Sequence, residues 1–436
     1  FAEVEPRLSR NEEERRMDLV LKVNKGNLIH VGRINVKGNT RTRDRVIRRE
    51  MQIKEGGLLD AGAVRKSNER LQRLGYFEEV NVTPEPTVKQ DIMDVLVDVK
   101  EKATGTFSIG AGYSSVDNMM FMAEIRESNF LGKGQTLSLQ ANLSSTSNRY
   151  NFSFTEPRLN DTKLLFGYDL YNWSREYDDY TKDSTGGALR FAYPIWNKWQ
   201  LGWGYGYDDT NMTDVAELNT SPSILASMQL EKTSFVRLAL SKDTRNRFAD
   251  ASKGWLTTYT IKHAGGVLGG DSSFTRYEAS SSWYYPLKWD TVFHVKGAIG
   301  YVAENEGGKL PVYEKFYLGG LNTIRGFEGG KISPLELNQD GSTYSRIGGE
   351  KMWYGNLEWI FPIAKDIGLK GVAFFDTGNV YTESKSWDIA DLRYSVGFGF
   401  RWMSPMGPLR LEWGYNLDPK EGEDQGVWDF SIGGAF

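Results

Sequence analysis

A two-residue alternation of apolar and polar side chains constrains this chain more than any other feature. In LRYSVGFGFRW, Leu392, Tyr394, Val396, Phe398, Phe400 and Trp402 share one face of a strand. Arg393, Ser395, Gly397, Gly399 and Arg401 share the other. A strand with two such faces lies between an apolar medium and water. The pattern recurs from Thr104 to Phe436 with no helical interlude, which points to a membrane-spanning β-barrel. No run of about 18 apolar residues is present, so no segment qualifies as a transmembrane helix. The mean hydropathy of -0.49 is compatible with a barrel, because half of each strand faces a polar lumen. The 22 Tyr, 22 Phe, 13 Trp and 47 Gly suit aromatic girdles and closely packed strands, although a soluble β-sandwich accounts for part of them.

Residues 1–102 read differently. Lys and Arg are dense there and aromatics sparse. Strands are predicted at Met17–Val23 and Ile29–Val36, and a short basic helix at Arg43–Met51. A second helix, Ala61–Leu74, is capped by Asp60 and stopped by Gly75, with Val64, Leu71 and Leu74 as its buried stripe. Strands at Glu78–Thr83 and Ile92–Lys100 complete a small β-α-α-β-β domain over residues 25–102. Residues 1–24 read as the last hairpin of a preceding copy, and the chain as a mature fragment of something longer.

From 103 to 436 sixteen antiparallel strands are expected, from Thr104–Tyr113 to Val427–Phe436. They include a strand at Met228–Glu231 extending toward Leu240. An even count brings both chain ends to the same side of the membrane. The longest connection, about 302–349, contains KFYLGGLNTIRGF. Phe316, Tyr317, Leu318, Leu321, Ile324 and Phe327 are too apolar for a solvated loop, and folding back into the lumen would bury them. A net charge of -4 gives no footing for nucleic acid, and the absence of cysteine removes thiol chemistry. His30, His263 and His294 lie in separate elements, so neither a metal site nor a cofactor is expected. Gly202–Gly206 lacks the strand-turn-helix context of a dinucleotide fingerprint, and no G-x-S-x-G elbow occurs.

IRGF at Ile324–Phe327, preceded by FYLGG at Phe316–Gly320, resembles the signature of the BamA family of outer-membrane assembly factors. NFLGKGQ at Asn129–Gln135, SFTEPRL at Ser153–Leu159, GGVLGGD at Gly265–Asp271, FFDTGNVY at Phe374–Tyr381 and SPMGPLRLEWG at Ser404–Gly414 agree with it. So does the aromatic C-terminus. NTRTRDRVIRREM and RLQRLGYFEEV are similar to a POTRA domain, the periplasmic module of that family. The resemblance implies a bacterial outer-membrane protein, POTRA in the periplasm, that folds and inserts other β-barrel proteins. Its implied partners are unfolded barrel clients, the bilayer, and periplasmic chaperones and assembly lipoproteins met through POTRA. A two-partner-secretion or TamA-like translocation pore is the alternative.

The resemblance also implies that Ile324, Arg325, Gly326 and Phe327 sit in the lumen, with Arg325 held by inward-facing carboxylates. Parity offers two. Trp353, Leu357, Trp359 and Phe361 share the lipid face, so Glu358 points inward, and Asp376 points inward with Lys370. A guanidinium has five donors and accommodates both acids. Phe375-Asp376-Thr377-Gly378 also resembles an aspartic-protease turn, but that chemistry needs a second such motif and none is present; no enzyme is expected. The second candidate site is the seam between first and last strands: Gly105, Phe107, Ile109, Gly110 and Gly112 facing Ile432, Gly433, Gly434 and Phe436. Glycines there either loosen closure or relieve crowding in the lumen. The resemblance favours a lateral gate, whose open edge would template an incoming strand.

Overall fold

The computed structural model describes residues 2–11, 16–25, 28–388, 390–404 and 407–432. The chain divides into two compact units, Phe1–Gly105 with Glu127–Thr136, and Thr106–Arg126 with Leu137–Phe436.

In the first unit, β1 (Ala2–Asn11) and β2 (Arg16–Lys25) form an antiparallel hairpin. Leu19, Leu21 and Val23 are exposed on it. The small domain follows: β3 (His30–Lys37), α1 (Asp44–Arg48), α2 (Ala61–Arg73), β4 (Phe77–Pro86) and β5 (Ile92–Glu101). The sheet order is β3-β5-β4, with β3 parallel and β4 antiparallel to β5. Alternation sets its inner face: Val95, Val97 and Val99 are buried while Asp98 points out. They pack on Val46 and Ile47 of α1 and on Leu71 of α2. Each fully buried aliphatic side chain contributes about 1.5–3 kcal/mol. Asp60 caps α2 by accepting from the Gly62 amide at 2.8 Å. Helix α1 is shorter than the predicted Arg43–Met51, ending once Val46 and Ile47 are seated. Of the expected stripe on α2, Leu71 is buried and Val64 and Leu74 only half so.

Glu101 ends β5 and is a local staple. Its carboxylate accepts the Thr40, Arg41 and Thr42 amides at 3.0, 2.9 and 2.6 Å and the Thr40 hydroxyl at 2.8 Å. Partial burial pushes the acid up, but these donors, Thr42 first, outweigh it and hold the carboxyl down at about 2.

The second unit is built on a closed barrel of sixteen strands. They begin with β6 (Gly105–Ser114), β7 (Asn118–Phe130), β8 (Gln135–Ser144) and β9 (Ser147–Glu156). Next come β10 (Leu165–Glu176), β11 (Thr181–Pro194), β12 (Trp199–Thr213), β13 (Lys232–Asp243), β14 (Gly254–Ala264), β15 (Phe274–Pro286) and β16 (Val292–Glu304). The hairpin β17 (Leu335–Leu337) and β18 (Tyr344–Arg346) belongs to the long connection and pairs outside the barrel wall. The wall closes with β19 (Lys351–Ala364), β20 (Leu369–Tyr381), β21 (Arg393–Ser404), β22 (Gly407–Asn416) and β23 (Gly426–Ile432). Along β21, Val396, Phe398 and Phe400 are exposed outward, while Arg393 and Ser395 are buried inward. Trp255 and Trp283 stack at 5.4 Å, and Trp196 and Trp289 are exposed in turns, as interfacial aromatics are.

One expectation needs correction. Met228–Glu231 is not strand. Ser221 and Pro222 start a helix, α3 (Pro222–Ser227), whose N-cap hydroxyl accepts from Ile224, and β13 begins only at Lys232. The last strand is described as far as Ile432, so Gly433, Gly434 and Phe436 lie outside the described residues.

Candidate functional site: a lumen charge cluster and a seam

The connection after β16 folds back into the barrel. Phe316, Leu318, Ile324, Phe327 and Ile332 are buried there against Phe274, Val302, Tyr354 and Val380 of the wall. Of the six side chains expected to need burial, Phe316, Leu318, Ile324 and Phe327 are buried, and Tyr317 and Leu321 are half-buried. Gly326 makes the turn at φ +83°. A Cβ on it would lie 2.9 Å from the Gly414 carbonyl carbon, and one on Gly414 would lie 2.3 Å from the Gly326 nitrogen. The loop glycine and the glycine of β22 therefore permit one close approach between them.

That approach delivers Arg325, which is 2% exposed. Its Nε and Nη2 donate to the two oxygens of Asp376 at 2.7 Å each, and its backbone amide reaches the same carboxylate at 3.0 Å. Nη1 donates to Glu358 at 2.6 Å and to Glu412 at 2.7 Å. The guanidinium carbon lies 3.6 Å from the ring centre of Phe374. Both acids reached by parity are thus in place. Both oxygens of Asp376 are engaged by Arg325.

Four partners escaped the sequence reading. Arg401 donates to both oxygens of Glu358, at 2.6 and 3.0 Å, and to Glu412 at 2.7 Å. Arg410 adds two bonds to Glu412, at 3.1 and 3.0 Å. His294 Nδ1 lies 2.8 Å from Glu358 and its ring stacks on Tyr284 at 4.1 Å. Three arginines thus face three carboxylates. Their signal was in the alternation, because Arg401 and the Arg410–Glu412 pair occupy inward positions of LRYSVGFGFRW and PLRLEW. A cavity of about 330 Å³ borders the cluster, lined among others by Lys296, Lys370 and Asp250. Lys370 Nζ pairs with Asp250 there at 2.6 Å.

At the seam, the described ladder between β23 and β6 consists of Ser431 opposite Ser114 and Ile432 opposite Tyr113. The neighbouring β22–β23 ladder runs from Leu409 opposite Ile432 to Tyr415 opposite Gly426. Ile109 does not face Ile432; Tyr113 does. A Cβ on Gly112 would lie 2.3 Å from the Ile432 carbonyl oxygen, so this glycine lets the last strand approach. Gly105 and Gly110 meet only side-chain atoms of Glu127 and Met122. Phe107 and Ile109 are exposed. The seam glycines thus divide between closure and side-chain room.

A β-α-α-β-β domain before a sixteen-stranded barrel that carries a lumen-folded arginine loop defines an outer-membrane β-barrel protein of the POTRA-bearing class. Comparison with known proteins gives the family. The model of the Omp85 superfamily domain matches residues 129–436, and the POTRA model, described as a surface antigen variable number repeat, matches 29–102. The chain belongs to the Omp85 superfamily. It is 38% identical over its whole length to the outer membrane protein assembly factor BamA of Nitratidesulfovibrio vulgaris, spanning 55% of that protein. It is 26% identical to the BamA of Neisseria meningitidis, spanning 60% of it. The structure of Haemophilus ducreyi BamA lacking POTRA domains 1–3 superposes with a TM-score of 0.84 at 25% identity, covering 99% of this chain and 89% of that one. CdiB from Acinetobacter baumannii, at 14% identity and a TM-score of 0.60, shares the fold.

Proposed function

We propose that this chain is the membrane part of an outer-membrane protein assembly factor that folds and inserts other β-barrel proteins through the seam between β6 and β23. The similarity to proteins named as BamA supports the activity. The mechanism is supported by the closing register, in which the described end of β23 meets β6 at Ser114 and Tyr113, so that parting the two strands would free the β6 edge. A strand edge left unpaired templates another strand, so a client hairpin has a backbone to pair with. Residues 25–102 would act as a POTRA module and residues 1–24 as the closing hairpin of another. Unfolded clients, chaperones and lipoproteins would meet the POTRA sheet at its edge strands. Client folding would drive the reaction.

The test is a pair of cysteines at Tyr113 and Ile432. Facing residues of an antiparallel pair lie about 4.5–5.5 Å apart at Cα, within disulfide range. Ile109, four residues along, is about 13 Å further down the strand and out of reach. The oxidised barrel is expected to keep its heat-modifiable mobility and to stop inserting clients until reduced. Undiminished insertion by the locked barrel would sink the seam mechanism.

A further inference from the structure

Asp429 of β23 is buried, and it lies directly opposite Glu412 across the β22–β23 ladder. Glu412 is fully occupied by Arg325, Arg401 and Arg410. Asp429 has no cation in ion-pair reach among the described residues. One of its oxygens is buried without a hydrogen-bond donor, and the other accepts the hydroxyl of Ser115 at 3.2 Å. Ser115 follows β6, on the far side of the seam. Its amide donates to the Phe430 carbonyl at 2.9 Å, and its hydroxyl accepts from the Phe430 amide at 3.4 Å. Ser115–Asp429 is a hydrogen bond between two side chains that crosses the seam.

We propose that Asp429 is a positioning residue that latches the seam through Ser115, and that the loop arginine sets the strength of the latch through Glu412. This rests on the seam mechanism proposed above. Two carboxylates on one rung repel unless one is neutralised. With the loop docked, three guanidinium groups neutralise Glu412, and Asp429 holds Ser115. With Arg325 withdrawn, the cluster is one positive charge short. Glu412 then repels Asp429, and the hold on Ser115 weakens. Loop position and seam closure are thereby joined over a short chain of contacts: Arg325, Glu412, Asp429, Ser115.

The test reads amide exchange at Ser115 and along β23 in the full protein in lipid, with heat-modifiable mobility as the folding control. Asp429→Ala is expected to speed exchange about tenfold, the scale of one charged hydrogen bond. Asp429→Asn is expected to exchange no faster than the parent, because its amide oxygen still accepts from Ser115 and no longer faces Glu412 as a charge. Ser115→Ala should match Asp429→Ala, and the double variant should be no faster than either. Arg325→Lys should speed exchange in the parent and leave it unchanged in Asp429→Asn. If Asp429→Ala and Asp429→Asn move together, or if the Ser115 and Asp429 effects add, the latch is overturned. If exchange responds as expected while client insertion does not follow it, the latch stands and the seam mechanism fails.

Discussion

Arg325→Ala tests the lumen cluster most directly, and the structure says which of its partners will suffer. The substitution removes four side-chain hydrogen bonds, but the losses are unequal. Glu358 keeps Arg401 and His294. Glu412 keeps Arg401 and Arg410. Asp376 loses every side-chain donor that Arg325 gave it, at a site that is 0% exposed with the loop docked. The cost is therefore that of one uncompensated buried carboxylate, about 3–5 kcal/mol. The sixteen-strand ladder does not depend on this loop, so the cost falls on docking of residues 305–350. It corresponds to a shift of about 10²–10³-fold or more in the docking equilibrium, at 1.4 kcal/mol per decade. Limited proteolysis of the loop, with closing fast relative to cleavage, reads that population. Adding Asp376→Asn to Arg325→Ala should recover most of the loss, since it removes the stranded charge. Adding Glu358→Gln should recover little, since Glu358 still has Arg401 and His294 and the stranded carboxylate is Asp376. Equal rescue by both, or rescue by neither, would refute this assignment of the burden to Asp376.

Gly326→Ala should loosen the loop by about 1–3 kcal/mol, because a Cβ at φ +83° meets the Gly414 backbone; loop proteolysis in a barrel of unchanged mobility checks it. Glu101 should tie the 40–42 segment in a pH-dependent way. Its folded carboxyl, held at about 2, lies below the usual unfolded value of about 4.3, so its contribution is full above that value and lost as pH falls toward 2. Exchange protection of the Thr40–Thr42 amides should fall across that window, and in Glu101→Gln it should be low at every pH.

Alternation made the barrel legible, and it made Glu358 and Asp376 legible as inward acids, because a period of two divides each strand into two faces without ambiguity. It does not say which inward charges converge. That depends on shear and tilt, which carry Arg401 of β21 and His294 of β16 to the same carboxylate although they are far apart in sequence. The seam shows the same limit. Ile109 and Tyr113 differ by four residues and share a face, so parity accepts either opposite Ile432, and only the closing register selects Tyr113. The helix α3 was hidden for a different reason. Its core residue Ile224 packs on Val312 of the long loop, a tertiary contact that no local pattern announces.

The composition of the lumen cluster bears on why the loop is held by charge at all. Ile324 and Phe327 are already buried, and each contributes about 1.5–3 kcal/mol of apolar affinity. Replacing a buried ion network by apolar side chains is often neutral or stabilising, so affinity alone does not call for Arg325. Apolar contact is, however, indifferent to small shifts of register. The five donor contacts of Arg325 are met in one position only, where Gly326 also clears Gly414. Hydrophobic burial thus accounts for the loop entering the barrel, and the arginine for where it stops. That stop aligns three positive charges with three negative ones next to β23. A loop docked by grease alone would leave Glu412 less neutralised and the last strand without a signal that the lumen is filled.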